Sequence, residues 1–306
     1  MVKAPELTKE KLRLRRDELH RAAEAAANGP SAEEHLGSES PKIVEDASKL
    51  GEKRLVRPPV GHAITSFAGG MSISFGAVAM ASGAAAVGGS LATPSLGHLI
   101  GALLFPIGFV ILLIGKTELF TENFLIPVVA VIKRRGSMTQ LGKLWGIALA
   151  FNLLGALVFG FLISRGHVLA PQIADEMIAL AEKKASYDLQ TGFVKAIFAG
   201  WLMTTLTWLL IASKGLGVQL ALIWIIASTI VLGQFNHVVI SASEIFMAMY
   251  LGADITLGAW LTSAFLPALA GNLVGGLVFV TLIHYMQSLF HQPVTDNASL
   301  DKAIKI

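Results

Sequence analysis

The 306-residue chain contains no cysteine, which excludes disulfides, thiolate metal sites and cysteine nucleophiles. Charge is scarce as well: Asp, Glu, Lys and Arg make up 15% of the residues against 54% hydrophobic ones. A soluble protein of this length has no way to hide that much apolar surface, so the chain reads as an all-α integral membrane protein. The patterns that carry common chemistries are also missing: paired His/Asp metal spacings, a Gly-x-Ser-x-Gly elbow, a His-Glu-x-x-His helix and a phosphate-binding glycine loop. Gly69-Gly70 and Gly88-Gly89 read as packing and turn glycines. These absences argue against an enzyme, a cofactor and a metal. The net charge of +3 sits in loops near membrane surfaces and makes no nucleic-acid footprint.

What the chain does contain is a pair of polar interruptions inside membrane-length apolar sequence, GKTELFTENF at 115–124 and GQFNHVVISASE at 233–244. Backbone that leaves the helix within a bilayer lines a cavity or is buried in protein, because hydrocarbon satisfies no hydrogen bond. Two such breaks suggest a pathway for a substrate.

Six passages are expected. The first runs over about 62–85. The second covers about 98–132 and is broken at Lys116–Glu122, and the third covers about 144–164. The fourth spans 196–213, the fifth 218–251 with its break near 235–240, and the sixth 255–287. Between the third and fourth, 165–195 is polar and holds a surface helix, APQIADEMIALAEKK, that cannot span. Residues 1–57 form a charged N-terminal tail, 58–290 the membrane domain and 291–306 a C-terminal tail. Within the first tail, 10–27 is rich in helix formers and stops at Asn28-Gly29-Pro30. It reads either as a solvated helix or as a basic amphipathic segment touching headgroups or an unidentified partner. Residues 31–57 read as a linker.

Lys53, Arg54 and Arg57 precede the first span, and Lys133, Arg134, Arg135 and Lys143 follow the second. With Lys214, Lys302 and Lys305 they place both termini in the cytoplasm. The stretch 165–195 is then outside, and its charges balance: Arg165, Lys183, Lys184 and Lys195 against Asp175, Glu176, Glu182 and Asp188. Each half repeats one plan, intact helix, broken helix, intact helix, with an odd number of spans. The halves therefore have opposite topology, an inverted 3+3 repeat on an aquaporin-like plan. Half-helix N termini would meet near the midplane and favour an anionic guest. An aquaporin itself would carry twin Asn-Pro-Ala signatures, which are absent.

These residues resemble the formate–nitrite transporter family, pentameric membrane channels for small monovalent anions. The family's first-break motif is matched by Glu118, Leu119, Phe120 and Thr121, followed by Glu122 and Asn123. Its second break is matched by Phe235, Asn236 and His237, and its last-helix motif by Gly271, Asn272, Gly275 and Gly276. The resemblance covers about 60–287. It implies a central pair, His237 and Thr121, with Asn236 where the family has an acidic residue. It also implies apolar constrictions at Leu119 and Phe235, with Phe120 and Phe75 as looser matches. An apolar constriction excludes bare anions, while a nearby proton donor neutralises or stabilises the anion in passing. The partner is then a small monovalent anion or its conjugate acid, the location a bacterial inner membrane, and the assembly a homopentamer. LFTEN together with HVVISASE resembles a bacterial inner-membrane branch of the family rather than its formate or nitrite channels, so the anion's identity is not carried over.

Lys116, Glu118, Glu122 and Glu244 add ionisable groups at membrane depth, each costly unless paired or hydrated. In one arrangement Lys116 neutralises Glu118 or Glu122 and the other carboxylates hold loop backbone. In the other, Glu122 or Glu244 faces the pore and takes part in proton transfer or repels fully charged anions, shifting preference toward a neutral acid or another small solute. Glu244 falls seven residues, or two helical turns, beyond His237, so both could share a face. The small residues Gly69, Gly70, Gly76, Gly155, Gly160, Gly271, Gly275 and Gly276 suit close helix packing, within a protomer or between protomers.

Overall fold

The computed structural model describes residues 39–290. The expected helix at 10–27 and the C-terminal tail lie outside them. Ten helical elements follow one another: α1 Ser40–Leu55, α2 Pro59–Ala86, α3 Leu96–Ile114, α4 Phe120–Ile132, α5 Met138–Ile163, α6 Pro171–Ala185, α7 Leu189–Ala212, α8 Leu216–Leu232, α9 Val238–Leu251 and α10 Leu257–Phe290. No strand occurs among the described residues. Among the described residues five helices (α2, α3, α5, α7 and α10) are long and apolar enough to cross a membrane, and the shorter apolar α4, α8 and α9 complete the interrupted passages. The first break is Gly115–Leu119 and the second Gly233–His237, each a few residues nearer the N terminus than the polar character suggested. Glu122 opens α4 as part of a 3-10 turn, Phe120–Phe124, and so belongs to a helix rather than to the break.

The two halves repeat each other in hydrogen bonding as well as in element order. Gly115 and Gly233 end α3 and α8 with amides on Ile111 O and Thr229 O, and the next residues, Lys116 and Gln234, take left-handed φ values of 59° and 49°. Glu118 N–H then donates to Thr65 O on α2, and Asn236 N–H to Lys195 O on α7. Small residues bring the outer helices of each half together. A side chain at Gly70 would run into the backbone of Asn152 on α5, and one at Gly200 into that of Asn272 on α10. The same holds for Gly155 against Phe67 and Gly275 against Ile197. The glycine faces therefore serve α2–α5 and α7–α10 packing inside one protomer. α10 carries π turns at Trp260–Phe265 and Leu277–Leu282, flanking the stretch that holds Gly271, Asn272 and Gly275.

Residues 40–55, expected to be part of a linker, are helical. Their polar composition masks a stripe of Ile43, Val44, Ala47 and Leu55, all buried. Gly51 sits close against the Ile126 backbone of α4. Charge fastens the helix as well: Glu45 accepts from Lys133 Nζ at 2.5 Å and from Arg135 at 2.6 Å. These hydrogen bonds hold the Glu45 carboxyl at about 2, below its ordinary 4.5. A lowered folded value means the contribution is complete above 4.5 and drains away as pH falls toward 2. Trypsin cleavage at Lys49 and Lys53, taken relative to the denatured protein digested at the same pH, is therefore expected to be unchanged from pH 8 to pH 5 in wild type and faster throughout in Glu45→Gln. Release of wild-type α1 between pH 7 and pH 5 would assign its docking to other groups.

α6 also departs from expectation. It does not span, but neither is it a detached surface helix: Met177, Leu180, Ala181 and Lys184 are buried and it packs against α9 and α2. It closes one face of the bundle, and α1 covers part of the opposite face.

Candidate functional site

The site is built where the two breaks meet. His237 is the N-cap of α9, its Nδ1 accepting from Ile240 N–H at 3.3 Å. That leaves the ring proton on Nε2, which lies 2.8 Å from Thr121 Oγ1 and donates to it. Thr121 sits in the opening turn of α4, and both residues are fully buried. This contact joins the start of α4 to the start of α9 across 116 residues of chain. Both half-helices thus begin at the same place with their positive ends toward it.

Two asparagines hold these ends. Asn152 on α5 accepts from Phe120 N–H at 2.7 Å and donates to Ser66 O and Glu118 O at 2.6 and 2.9 Å. Asn272 on α10 accepts from Val238 N–H at 2.9 Å and donates to Ala196 O and Asn236 O at 2.8 and 2.9 Å. Each amide thereby ties a broken passage to both intact helices of its half. Asn272 was visible as part of a motif, but its partner Asn152 was missed. The signal available was a lone Asn in the apolar run GIALAFNLLGALVFG, a costly residue to bury without a task.

Of the constriction candidates, Leu119 is fully buried and occupies in the first half the N-cap position that His237 holds in the second. Phe120 is buried in edge-on contact with Phe124 and Trp145, and Trp145 Nε1 donates to Asn123 O. Phe235 stacks on Phe198 with centroids 5.3 Å apart. Phe75 does not join them: it is 49% exposed on α2 and packs edge-on against Phe159. Asn236 is buried, accepts from Ser241 Oγ at 2.8 Å, and leaves Nδ2 without a partner among the described residues.

Neither arrangement of the charges anticipated their actual partners. Lys116 is exposed and forms no ion pair among the described residues. Instead α1 supplies the cations: Arg54 reaches Asn123 Oδ1 at 2.8 Å, Glu122 at 3.4 Å and Glu118 at 3.6 Å, and Arg57 reaches Glu118 at 2.9 Å. His62 adds an Nδ1 3.6 Å from Glu118 and donates through Nε2 to Arg54 O at 2.8 Å. Glu122 also caps its own turn, accepting from Leu119 N–H at 3.3 Å. At the other break Glu244 is paired with Lys184 of α6. The arginine and lysine partners lie 60 or more residues away and His62 nearly as far, so no local spacing reveals them.

On the α1 side a vestibule of about 750 Å3 leads inward to Thr117, Glu122 and Ile223, and Lys49, Lys53, Arg54, Arg57 and Lys116 line it against Asp46 and Glu122. No cluster of His, Asp or Glu suited to a metal occurs among the described residues.

The fold and sequence match known proteins. The uncharacterized transporter YrhG of Bacillus subtilis is 30% identical over 252 residues, covering 80% of this chain and 91% of the relative. Inner membrane protein YfdC of Escherichia coli is 27% identical over 265 residues, covering 83% and 81%. Among solved structures, an FNT family ion channel superposes with a TM-score of 0.72 at 18% identity over 80% of this chain and 98% of its own. A pentameric formate channel with formate bound gives 0.64 at 19%, over 76% and 98%. The profile of formate/nitrite transporters matches residues 41–286, beginning within α1, and so the chain belongs to the formate/nitrite transporter family.

Proposed function

We propose that the protein is a channel or secondary transporter for a small monovalent anion or its conjugate acid, moving passively or with a proton, through each protomer of a homopentamer in a bacterial inner membrane. The observation that carries this is the buried Thr121–His237 contact at the junction of two half-helix N termini. In it the imidazole donates to Thr121 Oγ1, which leaves the threonine hydroxyl hydrogen to be offered to an anion as it passes. Leu119 and Phe235 stand as the apolar constrictions on either side. The excess of cations in the α1 vestibule concentrates anions at that end. The α1 face is assigned to the cytoplasm because Lys53, Arg54, Arg57, Lys133, Arg134 and Arg135 gather there. Two relatives support the substrate class: a protein of Methanothermobacter thermautotrophicus described as a probable formate transporter, 26% identical over 269 residues, and the formate channel BtFdhC of Bacillus thuringiensis, 24% identical over 194.

Stopped-flow uptake into proteoliposomes tests the reading, with formate, nitrite, acetate, lactate and hydrosulfide compared. At least one of these is expected to enter faster than in protein-free vesicles, and His237→Ala to slow it at least tenfold. No uptake of any of them by well-folded wild-type protein would overturn the assignment.

A further inference from the structure

Toward the α6 face the path is closed. The space there is about 20 Å3, room for one water, and is bounded by Phe235, Ile240, Gln234, His98, Lys184 and Glu244. Its wall buries a full ion pair. Lys184 is 6% exposed, Glu244 is 1% exposed, and the ammonium donates to Glu244 Oε2. Neither has another partner of opposite charge among the described residues. Burying such a pair gains little stability, since desolvation offsets attraction, whereas separating the partners is costly. An ion pair that adds little stability at the closed end of the path is suited to a role in opening it.

Two other carboxylates of α6 lie at this end and are held by backbone amides, Glu176 accepting from Leu91 N–H at 2.8 Å and Glu182 from Asp254 N–H at 3.4 Å; the remaining groups around the pair are cationic or neutral. Lys183, beside Lys184 on α6, donates to Ala92 O and to Gln234 Oε1, and burial pushes its ammonium below the ordinary value. Lys195 on α7 reaches Gln234 O at 3.4 Å, and His98 on α3 sets its ring nitrogens 3.3 Å from Leu91 O and Leu232 O. Tyr187, just beyond α6, has its phenol pushed up to about 12 by burial and then by the Glu244 charge. α2 presents only Ser74, hydrogen-bonded to Ser243, and α8 has no ionisable residue. Lys143 of α5 and the His284–Tyr285 pair of α10 lie at the α1 end, near Arg57 and near Ile43 with Val44.

We propose that Glu244 is the proton-binding and specificity-determining residue of this gate: its carboxylate occupies Lys184 as an internal counter-anion, and a small monovalent anion takes that place only when Glu244 gains a proton. The inference rests on the transport reading above and deepens it. An anion arriving while Glu244 is ionised meets a lysine already neutralised and a like charge beside it. When water on the α6 side delivers a proton to Glu244 Oε2, the carboxylate becomes a neutral acid. The Lys184 ammonium keeps its three protons and turns to the incoming anion. One proton is bound for each anion admitted, and it is released when Glu244 pairs with Lys184 again. Doubly charged anions are rejected because one lysine neutralises one charge only.

The test is formate uptake into proteoliposomes of the full chain, from external pH 5.5 to 7.5, with protein-free vesicles subtracted. In wild type the competent fraction falls about tenfold per pH unit once Glu244 is mostly ionised, and the rate falls with it. Glu244→Gln removes the internal anion, so uptake at pH 7.5 is expected to rise about tenfold, since no proton is needed to free Lys184, and the pH slope to flatten. Lys184→Gln/Glu244→Gln, which leaves no buried charge unpaired, is expected to flatten the slope while slowing uptake, and it decides the matter if the single variant does not fold. Wild-type uptake whose slope persists in these variants would place the pH dependence on the substrate's own acid and overturn this inference alone. Absence of wild-type uptake would overturn the transport reading and this inference together.

Discussion

Asn272→Ala is expected to lower folding stability by about 4 kcal/mol, since it removes three buried hydrogen bonds and strands Val238 N–H and two carbonyls at a cost of roughly 1–3 kcal/mol each. Asn272 is itself completely buried, so water cannot replace the lost partners without opening the α7–α10 contact. That contact is tight, with Gly200 lying against the Asn272 backbone and Gly275 against Ile197. Asn152→Ala is expected to cost the same, because Asn152 makes the equivalent three bonds in the other half. The measurement is thermal unfolding in detergent followed by size-exclusion chromatography. The two losses should add in the double variant, since the amides share no partner. A melting temperature within a degree or two of wild type for either single variant would show that the breaks are held by something other than these amides. Asn272→Asp is informative alongside: it keeps the acceptor for Val238 N–H, loses both donors, and sets a carboxylate against two carbonyls. It should be no more stable than the alanine variant.

The second large effect is at Arg54. This residue is the one basic partner of Glu122 among the described residues, and it also holds Asn123 and approaches Glu118. Removing the cation from a buried pair leaves an uncompensated charge, and Arg54→Ala is expected to cost about 3–5 kcal/mol. The loss separates into two parts. Glu122→Gln in the Arg54→Ala background removes the stranded charge while keeping an acceptor for Leu119 N–H, and should restore much of the stability. Glu118 keeps Arg57 and His62, so Glu118→Gln in the same background should restore less. Equal rescue by the two glutamines, or a neutral Arg54→Ala, would refute the assignment of Glu122 to Arg54. Because Arg54 stands on α1, the same substitution should loosen that helix over the vestibule, visible as faster trypsin cleavage at Lys49 and Lys53.

These two effects fall on residues of different legibility. Asn272 and the glycines around it are short-range signals: small and polar residues at helical spacing inside apolar sequence have few meanings in a bilayer. The same logic locates both breaks to within a few residues, the six passages, and the opposed topology of the halves, since an odd number of spans per repeat leaves no other choice. Thr121 and His237 are legible for a related reason, each lying where a broken passage resumes its helix.

Other features depend on contacts that no window of sequence contains. The amphipathic stripe of α1 is thin, and its composition is that of a solvated segment. Only the groove against α4, with Gly51 on the Ile126 backbone, makes it a docked helix. Lys116 is the nearest cation to Glu118 and Glu122 along the chain, yet it takes a left-handed conformation and lines the vestibule, and the carboxylates pair with Arg54 and Arg57 from more than 60 residues earlier. Lys184 looks like a surface charge at the end of a polar helix until α6 folds onto α9 and buries it against Glu244. By itself the sequence determined where the membrane is crossed and where helices cannot continue, because hydrophobic length and backbone hydrogen bonding are local requirements. Which charges face each other was decided only by tertiary structure, because a buried ion needs a counter-ion but only the fold determines which one comes within reach, and that choice leaves no local mark.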